Sequence, residues 1–350
     1  MENSTAKNKV LVLALSGIGN FLMQLPFLKL LKQAHPDWHV TVAVAPRGTK
    51  ELAEHSSYID TVLEISLKQS LREHRSLLSA MRREKFYMAF MLSPGQLLKG
   101  SLFMFLSHIP IRIGHAYPFF LRKNSSFLLT HSIREVKDMH DIDQNIQLLS
   151  LLNSATPQQL NYEVSIPLAH QKDGHDLMAE LKIPRDKPLV GFHVGSAKGF
   201  QWKRWPVQNF ITVGQELLRQ KNIHILVFGD KNEHALKETI QAALGADCTV
   251  VEHSSLLTTG AVIQTCKLFL SNDSGLMHLA SALGVETYGL FGPTNEKQTG
   301  PRGIKSHVIR AAGTNPEYNT EKKFNLGLET HESLRALQPT EVLNQVITRL

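Results

Sequence analysis

Short apolar, β-branched runs alternate with longer stretches of helical period along most of the 350-residue chain, and they do so twice over. In the first half the runs fall at 9–15, 39–45, 61–65, 87–92 and 109–114. In the second they fall at 188–194, 223–229, 248–252, 267–273, 286–292 and 307–312. Most are continuously apolar rather than alternating, so both faces of each strand must be buried. That is the signature of a parallel sheet covered by helices on both sides. Between the runs lie amphipathic segments: Leu22, Leu25, Leu28 and Leu31 share one helix face, and 206–221 opens on Pro206, tolerated at a helix start. The expected fold is therefore α/β, with two Rossmann-like doubly wound domains facing across a cleft. Ligands of such sheets bind outside the carboxyl ends of the strands.

Proline spacing places the boundary. Pro167, Pro184 and Pro188 flank a polar stretch, so we expect a first domain at 1–168, a linker at 169–187 and a second domain at 188–335. A last helix at 336–350 is expected to pack back on the first domain. The polar stretch 313–333, with Gly313 and Pro316, reads as a loop.

The first 170 residues carry +5 of the net charge of +7, which suits an anionic substrate or an anionic membrane surface, or is simply a solvated face. Aromatic residues make up only 7%, giving no stacking platform for nucleic acid. The two cysteines, Cys248 and Cys266, form neither a disulfide framework nor a metal spacing. The apolar run near the N-terminus lacks the features of a secretory signal, and "LFMFL" at 102–106 is too short to span a bilayer. These features predict a cytoplasmic protein able to touch the inner face of the membrane.

Four strand-end segments carry the chemistry. In "FLSNDSGLMHLASALG", an apolar run stops at Asn272-Asp273 and a helix begins, with Asp273 the expected N-cap. Ser274 and Gly275 then offer free amides and the positive end of a helix dipole, which favour phosphate. His278 lies on the same face. The plainer reading is a capped helix with a surface histidine. In "GFHVGSAKGFQWKRWP", Ser196 and the cations Lys198, Lys203 and Arg204 crowd a loop suited to a diphosphate. The plainer reading is packing by Trp202 and Trp205 with solvated cations. "LFGPTNEKQTGP" is either a phosphate or ribose loop through Thr294 and Thr299, or a rigid turn.

The fourth segment, "LSGIGNFLMQLP", places Gly17 and Gly19 before a helix. The dinucleotide fingerprint needs a small residue at position 22, where Leu22 stands, and no P-loop lysine follows, so a dehydrogenase is disfavoured. Asp141 and Asp143 form a D-x-D pair, a pattern common by chance at helix starts.

"HVGS…KRWP", "NDSGLMHLASALG" and "LFGPTNEKQTGP", preceded by "SGIGNFLMQLPFLKLLKQAHP" and "IPIRIG", resemble the family 9 glycosyltransferases, the heptosyltransferases of the lipopolysaccharide inner core. The similarity runs in order from about residue 9 to 312. It implies a GT-B fold and an inverting transfer from a nucleotide sugar, typically ADP-heptose, to a glycolipid acceptor, with neither metal nor cofactor. It implies that Ser196 and Lys203 bind the donor diphosphate. Asp273, Ser274, Gly275 and His278 would hold the donor sugar and phosphates, and Asp230, followed by Glu233, would lie near the nucleoside. Gly17 and Gly19 would form the acceptor-side loop. Where the family has an aspartate regarded as general base, this chain has Asn20, which can orient a hydroxyl but not take its proton. Asn20 and Lys203 are the expected catalytic positions, with His115 a candidate substitute base. The alternatives are a non-catalytic nucleotide-sugar-binding relative and, behind it, a nucleotide-sugar epimerase.

Overall fold

The computed structural model describes residues 9–45, 48–65, 71–93, 97–117, 126–152, 162–317 and 329–350. The chain divides into two compact units, Met1–Asn161 and Tyr162–Leu350.

The first unit holds β1 (Lys9–Ala14), β2 (His39–Val44), β3 (Thr61–Glu64), β4 (Met88–Met91), β5 (Ile111–Ala116) and β6 (His131–Arg134). They form one parallel sheet in the order β3-β2-β1-β4-β5-β6. The second unit holds β7 (Leu189–His193), β8 (His224–Phe228), β9 (Cys248–Val251), β10 (Leu268–Asn272), β11 (Glu286–Leu290) and β12 (Ser306–Ile309). These are also all parallel, in the order β12-β11-β10-β7-β8-β9. Counted from its own first strand, the second sheet repeats the winding of the first. In each, the chain starts at a central strand, winds outward one way, then returns and winds the other way. The crevices at the carboxyl ends therefore open between β1 and β4 and between β7 and β10.

Residues Val10 to Val12, Val190 and Phe192, Ile225 to Phe228 and Leu268 to Leu270 are fully buried, as two-sided coverage by helices requires. Every strand but β6 falls on an apolar run of the sequence. The exception, "HSIR", is a four-residue edge strand, exposed or half-buried throughout, so it carries no apolar run to betray it.

One boundary expectation is corrected. Residues 169–187 are not an open linker. Leu168–Glu180 is a helix on Leu256–Gln264 of the second unit, where a Cβ on Gly174 would come within 2.7 Å of the Ala261 side chain. The final segment is built into the second unit. The helices Glu332–Ala336 and Pro339–Val346 bury Leu334, Leu337, Val342 and Val346 in the second unit's core, beside Trp205 and Phe210. Trp205 Nε1 donates to the Leu337 carbonyl at 3.0 Å, and Lys267 Nζ reaches the Leu350 carbonyl at 3.1 Å. Of the expected loop at 313–333, residues 318–328 lie outside the described residues. Cys248 and Cys266 are free and buried.

Leu334 is wholly buried against the loop that follows β11. Leu334→Ala should lower the stability of the second unit by ~2–5 kcal/mol, the usual cost of a buried leucine truncation, read by denaturant unfolding. A change below about 0.5 kcal/mol would mean the C-terminal segment does not build this core.

Candidate active site

The crevice of the second unit is closed at its floor by a polar seam. Asn272, fully buried at the end of β10, donates from Nδ2 to the carbonyls of Val194 (2.8 Å) and Gly195 (3.2 Å) and accepts from the Trp205 amide at 2.9 Å. One carboxamide thus ties the loop after β7 to the end of β10. Glu233, 4% exposed, does the same toward β8. Its carboxylate accepts from the amides of Ser196 (2.7 Å) and Asp230 (3.1 Å) and approaches His193 Nε2 and Arg204 Nη2, both at 3.4 Å. Burial pushes the Glu233 carboxyl upward, but the hydrogen bond and charge of His193 and the two amides outweigh it and hold it below its ordinary value. Gly195 is required here, since a Cβ would fall 1.7 Å from Glu233 Oε1.

On the β10 side, Ser274 rather than Asp273 caps the helix Gly275–Ala282. Ser274 Oγ accepts from the Met277 amide at 3.3 Å and meets His193 Nδ1 at 2.8 Å. Asp273 is engaged elsewhere: its Oδ2 accepts from Lys203 Nζ at 2.7 Å. Burial alone would raise the Asp273 carboxyl. The charge and hydrogen bond of Lys203, with His278, offset that and hold it below the usual carboxylate range. The Lys203 ammonium also lies 5.5 Å from the Phe200 ring centre and 5.6 Å from that of Trp202. Lys203, Asp273, Ser274 and the first amides of the helix therefore stand together where the sheet changes winding direction. A cation, a hydroxyl and polarised amides suit a diphosphate.

The other expected donor-side residues are placed as follows. The Ser196 hydroxyl donates to the Phe200 carbonyl (2.9 Å) and accepts from Arg204 Nε (3.0 Å). Asp230 caps the short turn Lys231–Glu233 and remains exposed. His278 is 3% exposed, and its carbonyl accepts from the Tyr162 hydroxyl. In the loop after β11, Arg310 binds the carbonyls of Gly292 and Thr294 and the Glu296 carboxylate, which makes that loop rigid. Trp202 and Trp205 are buried, so the packing reading holds for both.

In the first unit, Gly17 is the N-cap of the helix Ile18–Ala34, with φ −74° and ψ 176°. Gly19 and Asn20 lie in its first turn rather than in a loop, half-buried, and that turn has no acidic residue. A second polar seam crosses this unit. Gln24 Nε2 and Asn145 Nδ2 both donate to the Ser93 carbonyl, at 3.2 and 3.0 Å, and the Ser93 amide donates to Asn145 Oδ1 at 2.7 Å. His115 is a poor substitute base. It is 3% exposed, and its Nε2 is 2.9 Å from the Gln144 carbonyl. Burial lowers its pKa, which the bond to Gln144 only partly opposes. Asp141 is buried in the first turn of the helix Asp141–Gln147, its carboxyl pushed up to about 7 by burial and the nearby charge of Glu135. Among the described residues, no group of three or more His, Cys, Asp or Glu side chains is placed to hold a metal ion.

Sequence reasoning missed Asn272, Asn145 and Arg310 and placed Glu233 only as a neighbour of the nucleoside. The partners of Asn272 and Asn145 are main-chain atoms far away in sequence, which leave no motif. The one usable signal was Gly195 and Gly229, whose missing Cβ atoms both make room for the Glu233 side chain.

Two parallel six-stranded units of this winding, each with a polar seam at its switch point, have the GT-B architecture of glycosyltransferases. The chain belongs to glycosyltransferase family 9 (heptosyltransferase), whose model matches residues 74–327. It is thus a transferase. It is 25% identical to lipopolysaccharide heptosyltransferase 2 of Salmonella typhimurium over 97% of each chain. To lipooligosaccharide heptosyltransferase 2 of Haemophilus influenzae it is 25% identical over 86% of this chain and 88% of the relative. Among solved structures it superposes on the E. coli ADP-heptose lps heptosyltransferase II with a TM-score of 0.76, at 23% identity, over 97% of this chain and 98% of that one. A family 9 glycosyltransferase from Veillonella parvula gives 0.80 at 22% identity, over 100% and 98%.

Glu233 and Asp273 have depressed folded pKa values, so their contribution to stability is present above the ordinary carboxylate pKa and lost as pH falls through the folded one. The thermal midpoint of the second unit should be flat above about pH 5 and drop below about pH 4. Asp273→Asn should lower the plateau and shrink that drop. An unchanged acid limb in Asp273→Asn would mean that the Lys203 pair contributes nothing to it.

Proposed function

We propose that this chain moves a heptose from ADP-heptose to a lipopolysaccharide-core or related glycolipid acceptor, with inversion at the anomeric carbon and without a metal. The observation that carries the reading is the Lys203–Asp273 pair beside the Ser274 cap at the β7–β10 switch point. The names of the relatives supply the sugar and the acceptor. On this reading the second unit binds the donor and the first unit the acceptor, at the cytoplasmic face of the inner membrane.

The acceptor hydroxyl attacks the anomeric carbon from the face opposite the diphosphate. One carbon–oxygen bond forms as the bond to the diphosphate oxygen breaks, and the hydroxyl proton leaves as the oxygen attacks. The charge developing on the departing ADP falls to Lys203, the amides of Ser274 and Gly275 and the helix N-terminus behind them. Ser196 and His278 flank the diphosphate and sugar, and Asp230 lies toward the nucleoside. Asn20, at the N-terminus of the helix after β1, orients the acceptor hydroxyl, with Gly17 and Gly19 keeping that approach open. Asn20 cannot take the proton, which passes to water or to the donor phosphate.

Incubation with ADP-heptose and a heptose-deficient core acceptor should release ADP and yield one product anomer of inverted configuration by NMR. No transfer from any nucleotide sugar would rule the reading out, and donor binding without transfer would favour the non-catalytic relative. Restoring a carboxylate with Asn20→Asp should raise kcat by tenfold or more, within the ~10²–10⁴-fold that a general base contributes. A fall would show that the carboxamide's own hydrogen bonding governs the step. Lys203→Met should lower kcat/KM by ~10²–10³-fold, the scale of losing one preorganised charge-stabilising group. It also leaves Asp273 unpaired at a cost of ~3–5 kcal/mol, so its thermal midpoint must be measured alongside.

A further inference from the structure

The helix Leu97–Leu106 turns an apolar face to solvent. Its inner side buries Ser101, Phe103 and Met104. Its outer side presents Leu98 (43% exposed), Leu102 (42%), Phe105 (47%) and Leu106 (36%), the i, i+4, i+7, i+8 spacing of a single helix face. The turn Ser126–Leu128 packs beside this helix and adds Phe127, 72% exposed. Five large apolar side chains at one place, half of the exposed large apolar residues among the described residues, mark a contact surface rather than scattered exposure.

The rim is cationic. Lys99 lies on the helix itself, Arg112 stacks its guanidinium 5.4 Å from the Phe105 ring centre, and Arg82 Nε donates to the Leu106 carbonyl at 2.9 Å. None of Arg82, Lys85, Lys99 or Arg112 forms an ion pair with a carboxylate among the described residues. Glu84, next to Lys85 in the chain, is occupied by Lys9 at 3.0 Å. At the same end of the helix a cavity of about 330 Å³ is lined by Arg82, Lys85, Phe86, Ser107, His108 and Pro110. The Ser107 hydroxyl there is buried with no hydrogen-bond partner among the described residues. Lys85 and His108 both adopt left-handed φ, 53° and 59°, so two uncommon backbone conformations meet at one cavity.

We infer that this face docks onto an anionic phospholipid bilayer, with the apolar stripe in the acyl boundary and a headgroup phosphate in the cavity between Arg82, Lys85 and Ser107. The helix is ten residues long, about 15 Å, too short to cross a membrane and suited to lying in its surface. Among the described residues no helix is long and apolar enough to span one. The charge decides the occupant: a second copy of this chain would bring its own cations against these, whereas an anionic surface neutralises them. The surface serves the proposed glycolipid acceptor by holding the enzyme where that acceptor resides, and in that sense it rests on the proposed function. Its test reads membrane binding alone.

The full chain is sedimented with vesicles of phosphatidylcholine alone and with vesicles carrying a third phosphatidylglycerol. Binding to the anionic vesicles should be at least about tenfold tighter and should weaken with salt. Phe105→Asp should weaken it by about tenfold or more, and Lys85→Gln and Lys99→Gln by about fivefold each. All three are surface changes, so each should keep the wild-type thermal midpoint and its rate on a detergent-solubilised acceptor. Equal binding to both vesicle types, unaltered binding by Phe105→Asp, or a dimer in light scattering that Phe105→Asp dissolves would each overturn the inference. If vesicle binding holds while no sugar transfer is found, the proposed function fails and the docking surface stands.

Discussion

The site depends on one buried carboxamide. Asn272 sits at the end of β10 and hydrogen-bonds two carbonyls of the loop after β7 and the amide of Trp205. Adjacent parallel strands that wind away in opposite directions have no loop of their own to close the gap between them. The side chain of Asn272 does it instead, and Glu233 extends the closure to the loop after β8. Because every polar group in the seam has a partner, burial costs little and the loops are held in a single arrangement. Lys203 and the Ser274 cap take their positions from that frame, so the charge we propose for a diphosphate is set by the fold itself.

The two units share a winding but not a chemistry. In the second, the switch point carries an ammonium, a helix N-terminus and a buried carboxylate. In the first, the corresponding place is neutral: Gln24, Ser93 and Asn145 form the seam, and the first turn after β1 ends in a half-buried asparagine. One half is suited to a charged leaving group and the other to positioning a neutral hydroxyl. Buried His115 and its bond to Gln144 belong to the scaffold of the first unit.

The architecture was legible because burial on two faces writes itself as unbroken apolar runs. β1 and β8 could hardly be anything else, whereas β6, with four residues on an exposed edge, writes nothing. The strand-to-helix turn at 273–275 was legible as well, although the cap was assigned to the wrong neighbour. Asp273 has the better capping side chain in isolation, but a lysine seventy residues away claims its carboxylate and leaves Ser274 to cap. The linker was misplaced, and the place of the last helix in the second unit's core went unread, for a related reason. Gly174 against Ala261 and Trp205 against Leu337 are contacts between segments that nothing in the local sequence connects.

The most direct test is the position of a bound donor. A crystal of this protein soaked with ADP-heptose, or a non-transferable analogue, should show the diphosphate on the amides of Ser274 and Gly275, with Lys203 Nζ in hydrogen-bond range of its oxygens. A nucleotide bound elsewhere on the chain, or one that leaves Lys203 wholly on Asp273, would contradict the account.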